Sequence, residues 1–198
     1  MDYPREMYAE CEALRYDFLN NLQRPPASRA PKEGTIRVLV LSDYVPLCTI
    51  RMLRLIEEAT SQMLCRATYA VKPHPKCPVM PEDYPSLRMT VITEPLGARF
   101  RDFDIAFASN LTSASVDAHP AGLPVVVMLS DTELNYSPLR GQPGVLFVSS
   151  TEDLAEALQS GVQGMTPAAD RNKFFFLDRR LPRWRKLLEA PTVTTVRH

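Results

Sequence analysis

Residues 110–127 read Asn-Leu-Thr-Ser-Ala-Ser-Val-Asp-Ala-His-Pro-Ala-Gly-Leu-Pro-Val-Val-Val. Apolar runs typical of buried strands overlap or flank this stretch, at Asp104–Ala108 and Leu123–Leu129. The polar residues between the two runs predict a loop at Asn110–Ser113 and a short helix at Ser115–Ala121. The order strand, loop, helix, strand is typical of an α/β domain.

Hydroxyl groups are concentrated where this short helix is predicted to begin. The first N–H groups of a helix lack intrahelical partners and carry the positive end of its dipole, so they attract anions. Together with Asn110 and the hydroxyls of Thr112, Ser113 and Ser115 they predict a phosphate site, and Asp117 could accept hydrogen bonds from a ribose. The alternative is that Thr112 and Ser113 only cap the helix while Asp117 is solvated.

The chain alternates short apolar strands with helices from residue 35 onward. Strands are predicted at Ile36–Leu41, Ala67–Val71, Met89–Ile92, Asp104–Ala108, Pro124–Leu129 and Val145–Val148, and further helices at Thr49–Met63 and Glu152–Gly161. Apolar strands interleaved with helices are typical of a parallel sheet covered on both faces. The predicted fold class is therefore α/β, with a Rossmann-like doubly wound parallel sheet, an N-terminal helical extension and a C-terminal helix.

Two extensions flank this domain. Apolar residues near helical spacing predict a helix over Arg5–Leu22, and the prolines of Arg24–Lys32 predict a stiff linker after it. Near the other end, Phe174–Leu188 combines aromatic residues that would cover apolar surface with basic residues that would face solvent, a partner or anionic lipid. The alternative for this segment is an ordinary amphipathic helix packed on the sheet. We divide the chain into 1–34, 35–188 and a tail, 189–198.

Composition limits the classes of function. A length of 198 residues suits one domain with appendages, and 45% hydrophobic residues exclude disorder. The 23 Lys and Arg balance the 23 Asp and Glu, so we expect no nucleic-acid partner. The four cysteines lack zinc-binding spacing and are interpreted as reduced thiols. Because no apolar run approaches the roughly 18–20 residues of a membrane span, we expect a cytoplasmic protein, with docking at the inner membrane surface left open.

Polar residues follow the predicted strands at their carboxyl ends, where doubly wound sheets bind ligands. Ser42 and Asp43 follow the first strand and could line a ligand or simply cap the next helix. Lys72 and His74 follow the second, and they supply positive charge and hydrogen-bond donors in a proline-stiffened segment. His74 could also be a histidine satisfied within its own turn. No dinucleotide-binding or Walker motif is present, and no clustered carboxylate pair indicates a metal.

Several of these motifs together resemble the donor-binding half of a GT-B glycosyltransferase. They are Lys72-Pro-His-Pro, Thr112-Ser113, Asp117-Ala118 and Gly122-Leu-Pro124. The resemblance implies that the hydroxyl-rich loop holds the phosphate of a nucleotide sugar and that Asp117, where the family usually has Glu, binds the sugar or ribose. His74 and Ser113 match the nucleotide-contacting residues of bacterial sialyltransferases and capsule polymerases. Over Thr35–Leu188 the chain is most similar to bacterial surface-carbohydrate biosynthesis proteins.

The resemblance implies a nucleotide-sugar donor as substrate, no cofactor, and His74 as the candidate catalytic residue. GT-B enzymes close two such domains around the reaction, so a glycan or lipid-linked acceptor would be held by a missing N-terminal domain or a partner protein. Two other classes stay open. A nucleotide-sugar epimerase or isomerase would use the carboxylates of Asp43, Glu94 and Asp117, and a non-catalytic interaction module of a polysaccharide assembly complex would use the terminal helices. Neither the sugar nor the oligomeric state follows from the sequence.

Overall fold

A single parallel sheet forms the centre of the molecule. The computed structural model describes residues 5, 8–22, 34–130, 134–164 and 175–189. The strands are β1 (Thr35–Leu41), β2 (Arg66–Lys72), β3 (Met89–Val91), β4 (Ile105–Ser109), β5 (Val125–Met128) and β6 (Val145–Val148). All neighbouring pairs are parallel, in the order β3-β2-β1-β4-β5-β6. The predicted α/β fold with a doubly wound parallel sheet is confirmed.

Helices accompany the sheet on both faces. The α-helices are α1 (Pro46–Gln62), α2 (Ala114–Ala118), α3 (Thr151–Gly164) and α4 (Pro182–Glu189), and 3₁₀ helices lie at Leu14–Asn21, Pro81–Asp83 and Gly97–Asp102. Proline at the first position of α1 and α4 suits a helix start, because its missing N–H would lack a partner there. None of the helices in the described part of the chain has the length and apolar character needed to cross a bilayer.

The chain changes its direction of winding between β1 and β4, the two central strands. β1 pairs with β2 up to Leu41 opposite Lys72, and with β4 up to Leu41 opposite Ala108. The carboxyl ends of β2, β1 and β4 therefore meet at one edge of the sheet. In doubly wound sheets the crevice at such a switch point is where ligands bind.

The first face of the sheet is covered by α1 and α3. Met52, Leu53 and Ile56 of α1 and Leu154 and Leu158 of α3 are at most 1% exposed and belong to one apolar cluster. The spacing of these residues, three or four positions apart, places them on one side of each helix. This face is thus covered by two regular helices, and each follows shortly after a strand in the sequence, α1 after β1 and α3 after β6.

The second face has a more irregular cover. Phe100, from the 3₁₀ helix Gly97–Asp102, packs there with Ala118 of α2 and with Leu19, which comes from the 3₁₀ helix near the N-terminus. Phe18 also stacks near Phe100, with ring centroids 5.9 Å apart. Because α2 has only five residues, residues from the N-terminal segment are needed to complete this face.

Residues 10–21 and 175–184 hold each other in an arrangement that we call the terminal clasp. The buried Glu12 accepts hydrogen bonds from the backbone N–H groups of Arg183 (3.0 Å) and Trp184 (3.2 Å), so it caps the start of α4. The indole Nε1 of Trp184 donates to the Glu12 carbonyl at 2.8 Å. The ring of Tyr16 stacks on Phe175 with a centroid distance of 3.8 Å. The two segments therefore stabilise each other.

The ends differ in detail from the sequence predictions. Instead of an α-helix over Arg5–Leu22, the described residues contain a 3₁₀ helix that begins at Leu14, and residues 8–13 have no helical turn. Leu19 and Tyr16 are three residues apart and therefore lie on the same side of the 3₁₀ helix. Leu19 packs on the second face of the sheet, and Tyr16 stacks on Phe175. The predicted linker, Arg24–Lys32, Phe174 and most of the tail lie outside the described residues.

Candidate functional site

Ser42 joins the carboxyl ends of β1 and β2. Its backbone N–H donates to the Lys72 carbonyl at 3.2 Å, and its hydroxyl accepts the backbone N–H of His74 at 3.0 Å. Ser42 is buried, 5% exposed. The hydroxyl predicted to contact a ligand therefore supports the backbone of His74 instead of facing solvent.

Asp43 closes the floor of the crevice between β1 and β4. It is 1% exposed, and its carboxylate accepts hydrogen bonds from the Val45 backbone N–H at 2.9 Å and from the Ser109 hydroxyl at the end of β4. Its backbone N–H and carbonyl both bond to the hydroxyl of Thr49, each at 3.1 Å. Through its carboxylate and its backbone, Asp43 therefore ties the end of β1 to the end of β4 and to the first turn of α1.

His74 follows β2 and is partly exposed. Its Nδ1 accepts the backbone N–H of Lys76 at 3.2 Å, and its carbonyl accepts the N–H of Cys77 at 2.8 Å. The edge of the ring meets the exposed ring of Tyr44, with centroids 6.1 Å apart. Tyr44 was not among the predicted site residues, although its position directly after Ser42-Asp43 was the available signal.

Lys72 directs its charge toward β3. Its Nζ donates to the backbone carbonyls of Thr93 (2.7 Å) and Glu94 (3.0 Å). The Glu94 carboxylate in turn accepts from Thr93 and pairs with Arg99 at 2.7 Å. In this arrangement Lys72 fixes the end of β2 to the segment after β3, and it would reach a phosphate only by changing partners.

Asn110 organises the loops on the other side of the crevice. Its amide donates to the Leu134 carbonyl at 2.7 Å and accepts the backbone N–H groups of Tyr136 (3.0 Å) and Ser137 (3.1 Å). It is 5% exposed. The side chain therefore joins the loop after β4 to residues 134–137 between β5 and β6.

The three hydroxyls at the start of α2 have different environments. Ser115 is buried and donates to the Thr112 carbonyl at 3.0 Å. The Thr112 hydroxyl is half-buried and accepts the backbone N–H of Ala114 at 3.4 Å. Ser113 precedes the helix without a side-chain capping bond and is exposed. Of the three, Ser113 has the hydroxyl best placed to meet a ligand.

Asp117 contacts the N-terminal segment. Its Oδ2 pairs with Nη2 of Arg15 at 3.0 Å, while Oδ1 is buried and has no hydrogen-bond partner among the described residues. Burial raises the pKa of Asp117, and the charge and hydrogen bond of Arg15 offset this only in part. No local sequence pattern indicates this pair, because its members lie 102 positions apart. A ribose would have to share Asp117 with Arg15.

Apolar side chains are also exposed at this edge. They surround the crevice on both sides of the switch point and comprise Tyr44, Leu47, Leu111, Leu134 and Tyr136. No group of three or more His, Cys, Asp or Glu side chains within the described ranges could hold a metal ion. The edge thus combines the partly exposed His74 and the exposed Ser113 with an apolar surround.

Comparison with known proteins gives information on the fold. Neither the sequence models of known protein families nor the curated protein sequences yielded a match. Among solved structures, the chain is similar to the GT-B glycosyltransferase TarM, with a TM-score of 0.50 and 14% identity over 84% of this chain and 38% of TarM. It is also similar to the kitacinnamycin glycosyltransferase (TM-score 0.45, 13% identity, 70% of this chain and 38% of that one). A third similar structure is the calicheamicin glycosyltransferase CalG4 (TM-score 0.44, 16% identity, 83% of this chain and 41% of CalG4).

The fold is that of a single Rossmann-like half of a GT-B enzyme. The chain spans well under half the length of TarM, which fits one of the two domains of such an enzyme. The resemblance noted from the sequence motifs is thereby confirmed at the level of the fold.

Proposed function

We propose that this chain is the nucleotide-sugar-binding domain of a bacterial glycosyltransferase in surface polysaccharide biosynthesis. The observation that carries the proposal is the outward position of His74 and Ser113 at the switch point of a GT-B-like sheet. His74 lies at the end of β2 and Ser113 after β4, the strands on either side of β1. Ligands of doubly wound sheets bind in the crevice at this position.

The proposed chemistry is displacement of the nucleotide from the anomeric carbon of the donor sugar. Negative charge then develops on the departing phosphate, and fixed donors near it lower the barrier. His74 would supply one hydrogen bond and Ser113 another, with the Thr112 hydroxyl adjacent. Asp43 and Asn110 would contribute by holding the two loops in place, since their side chains are bonded within the protein.

The acceptor would be held by a second domain or a partner protein, opposite the carboxyl edge. The exposed apolar side chains of Tyr44, Leu47, Leu111, Leu134 and Tyr136 support this part of the proposal. Apolar groups gathered around a crevice are typical of a surface that another domain or protein faces. The acceptor itself would be a glycan or a lipid-linked saccharide.

A thermal-shift and calorimetry screen tests the proposal. The purified chain is titrated with CMP, UDP, GDP, ADP and TDP, with and without magnesium. A ligand that binds the folded state raises its melting temperature by mass action, so one nucleotide should give a selective shift. The proposal is overturned if none of the five nucleotides binds, either to the chain alone or to the chain mixed with a candidate acceptor-binding domain.

Ser113→Ala localises the binding. The variant should lose about tenfold or more in nucleotide affinity, as expected for a hydrogen bond to a charged group, while its melting temperature stays unchanged because the hydroxyl makes no capping bond. Ser160→Ala, on the exposed side of α3, is the matched control and should bind normally. A fall in melting temperature for Ser113→Ala would instead indicate a structural role.

The interaction module remains a second candidate, since the terminal helices, and also the apolar edge, could bind a partner without catalysis. It predicts a stable complex that Ser113→Ala leaves intact and no nucleotide affinity. The epimerase alternative has less support, because its three carboxylates are all bonded to protein groups. Asp43 bonds to Ser109, Glu94 to Arg99 and Asp117 to Arg15.

A further inference from the structure

The turn that carries His74 immobilises this residue at several points. Its backbone N–H donates to the Ser42 hydroxyl, its carbonyl accepts from Cys77, and its ring Nδ1 accepts from the Lys76 backbone N–H. The ring edge also lies against Tyr44. Backbone and ring are therefore both fixed, and Nε2 is the ring nitrogen left for a ligand.

The Lys76 contact determines which nitrogen carries the proton. A backbone N–H can only donate, so the Nδ1 facing it must offer a lone pair. In the neutral ring the proton then lies on Nε2, which makes Nε2 a donor. A second proton on Nδ1 would place two N–H groups against each other and would cost the Lys76 hydrogen bond.

We propose that His74 meets the anionic ligand with an Nε2–H donor, in the tautomer that the Lys76 backbone N–H fixes by bonding to Nδ1. This inference rests on the proposed nucleotide-sugar function and specifies how the same site recognises phosphate. Ser42 and the Lys76 N–H act as positioning groups, because they hold the donor without touching the ligand.

The surroundings of the ring agree with an Nε2–H donor. The titratable groups next to it are the Tyr44 phenol from the segment before α1 and Lys76 and Cys77 from its own turn. Lys72, two residues earlier, directs its ammonium to the Thr93 and Glu94 carbonyls. Among the described residues no carboxylate is hydrogen-bonded to the His74 ring.

Nitrogen-15 NMR of the histidine rings tests the tautomer directly, with or without ligand. The His74 signals are assigned by their loss in His74→Gln. At neutral pH we expect a pyridine-type Nδ1 and a protonated, pyrrole-type Nε2, and addition of inorganic pyrophosphate should shift Nε2 most. A protonated Nδ1, in either the other tautomer or the imidazolium ion, would overturn the inference even if nucleotides bind.

Two variants test the donor by affinity. His74→Gln can place an amide donor near the Nε2 position, whereas His74→Phe keeps the ring shape and removes the donor. For pyrophosphate we expect His74→Gln to bind within about threefold of the wild type and His74→Phe to lose about tenfold or more, as for a hydrogen bond to a charged group. Equal losses in both variants, with melting temperatures unchanged, would contradict a donor role.

Failure of pyrophosphate and all five nucleotides to bind would overturn the proposed function and the ligand half of the inference, while the NMR result would still decide the tautomer.

Discussion

The two faces of the sheet are covered by segments of very different origin. On the first face, α1 follows β1 directly and α3 follows β6, and both helices pack on the sheet within one apolar cluster. On the second face, Leu19 from the N-terminal 3₁₀ helix packs beside Phe100 and α2, and the terminal clasp joins residues more than 150 positions apart. The first face therefore depends on local sequence, and the second on contacts between distant segments.

This difference should determine how much stability the domain loses when a buried residue of each face is substituted. A helix that connects two strands, as α1 connects β1 and β2, cannot detach without breaking the sheet, so its loss unfolds the whole domain. A terminal segment can detach while the sheet remains, so the loss it causes is limited to the free energy of detachment.

The largest effect is expected on the first face. Ile56→Ala removes a side chain of α1 that is 0% exposed and should lower the free energy of unfolding by about 2–5 kcal/mol, since it leaves a cavity in the core. Denaturant unfolding followed by circular dichroism measures this. Leu64→Ala, just after α1 and 98% exposed, is the control and should change little. If Ile56→Ala lowered the free energy of unfolding by less than Leu19→Ala on the second face does, the expected order of the two faces would be reversed.

A smaller loss is expected from the same kind of change on the second face. Leu19→Ala also truncates a fully buried side chain, but detachment of the N-terminal segment should limit the global loss to about 1–2 kcal/mol. Hydrogen exchange should show faster opening of residues 14–21 with little change in β1. Leu14→Ala, in the same helix but 53% exposed, serves as the control. A loss equal to that of Ile56→Ala would mean that the segment unfolds only with the whole domain.

His119 should make the second face sensitive to pH. It is 0% exposed, burial lowers its pKa below the ordinary 6.5, and its Nε2 donates to the Pro143 carbonyl at 2.8 Å. The folded state thus binds fewer protons than the unfolded state, so stability is complete above pH 6.5 and falls as the pH drops toward the folded pKa. Unfolding curves at several pH values should lose this slope in His119→Gln. An unchanged slope in His119→Gln would assign the effect to another group.

The smallest effect is expected in the terminal clasp, where Trp184, the single tryptophan of the chain, serves as a reporter. Burial opposes ionisation of Glu12, but hydrogen bonds from Arg183 and Trp184 prevail and lower its pKa below the ordinary 4.5. The clasp should therefore be intact above pH 4.5 and open as the pH falls through the folded pKa, which tryptophan fluorescence detects.

Glu12→Gln provides the test of this assignment, because it removes the charge and one acceptor. Its Trp184 emission should report a more exposed ring at neutral pH, with little change in the circular dichroism of the sheet. Glu10→Gln is the matched control, since Glu10 lies 3.5 Å from Arg183 on the exposed surface. Loss of the sheet signal in Glu12→Gln would show that the clasp and the sheet form one cooperative unit.

The sequence predicted the first face better than the second. The predicted strand Ile36–Leu41 and helix Thr49–Met63 nearly match β1 and α1, since both periodicities are local. The helix begins earlier than predicted because Pro46 occupies its first turn. The N-terminal segment has helical spacing too, but its conformation is set by contacts with Phe100 and Phe175, which no local pattern contains.

Residue types indicated the candidate site, but not the partners of each side chain. The position of His74 and Ser113 at the carboxyl edge followed from the order of strands and loops. The bonds of Asp43 to Ser109 and of Asn110 to residues 134–137 did not, because they cross 66 and at least 24 positions. A polar residue after a strand can hold a loop or contact a ligand, and only the fold distinguishes these roles.

The terminal clasp also has a consequence for the order of folding. Glu12 is synthesised 172 residues before Trp184, so the segment around residues 10–21 leaves the ribosome long before its partner exists. In the meantime β1, β2 and α1 can associate through contacts of short range, while the apolar residues of the second face stay uncovered. The last part of this domain to be made is thus the part that completes its protection from water, and a chain stopped before residue 175 would present that surface to chaperones.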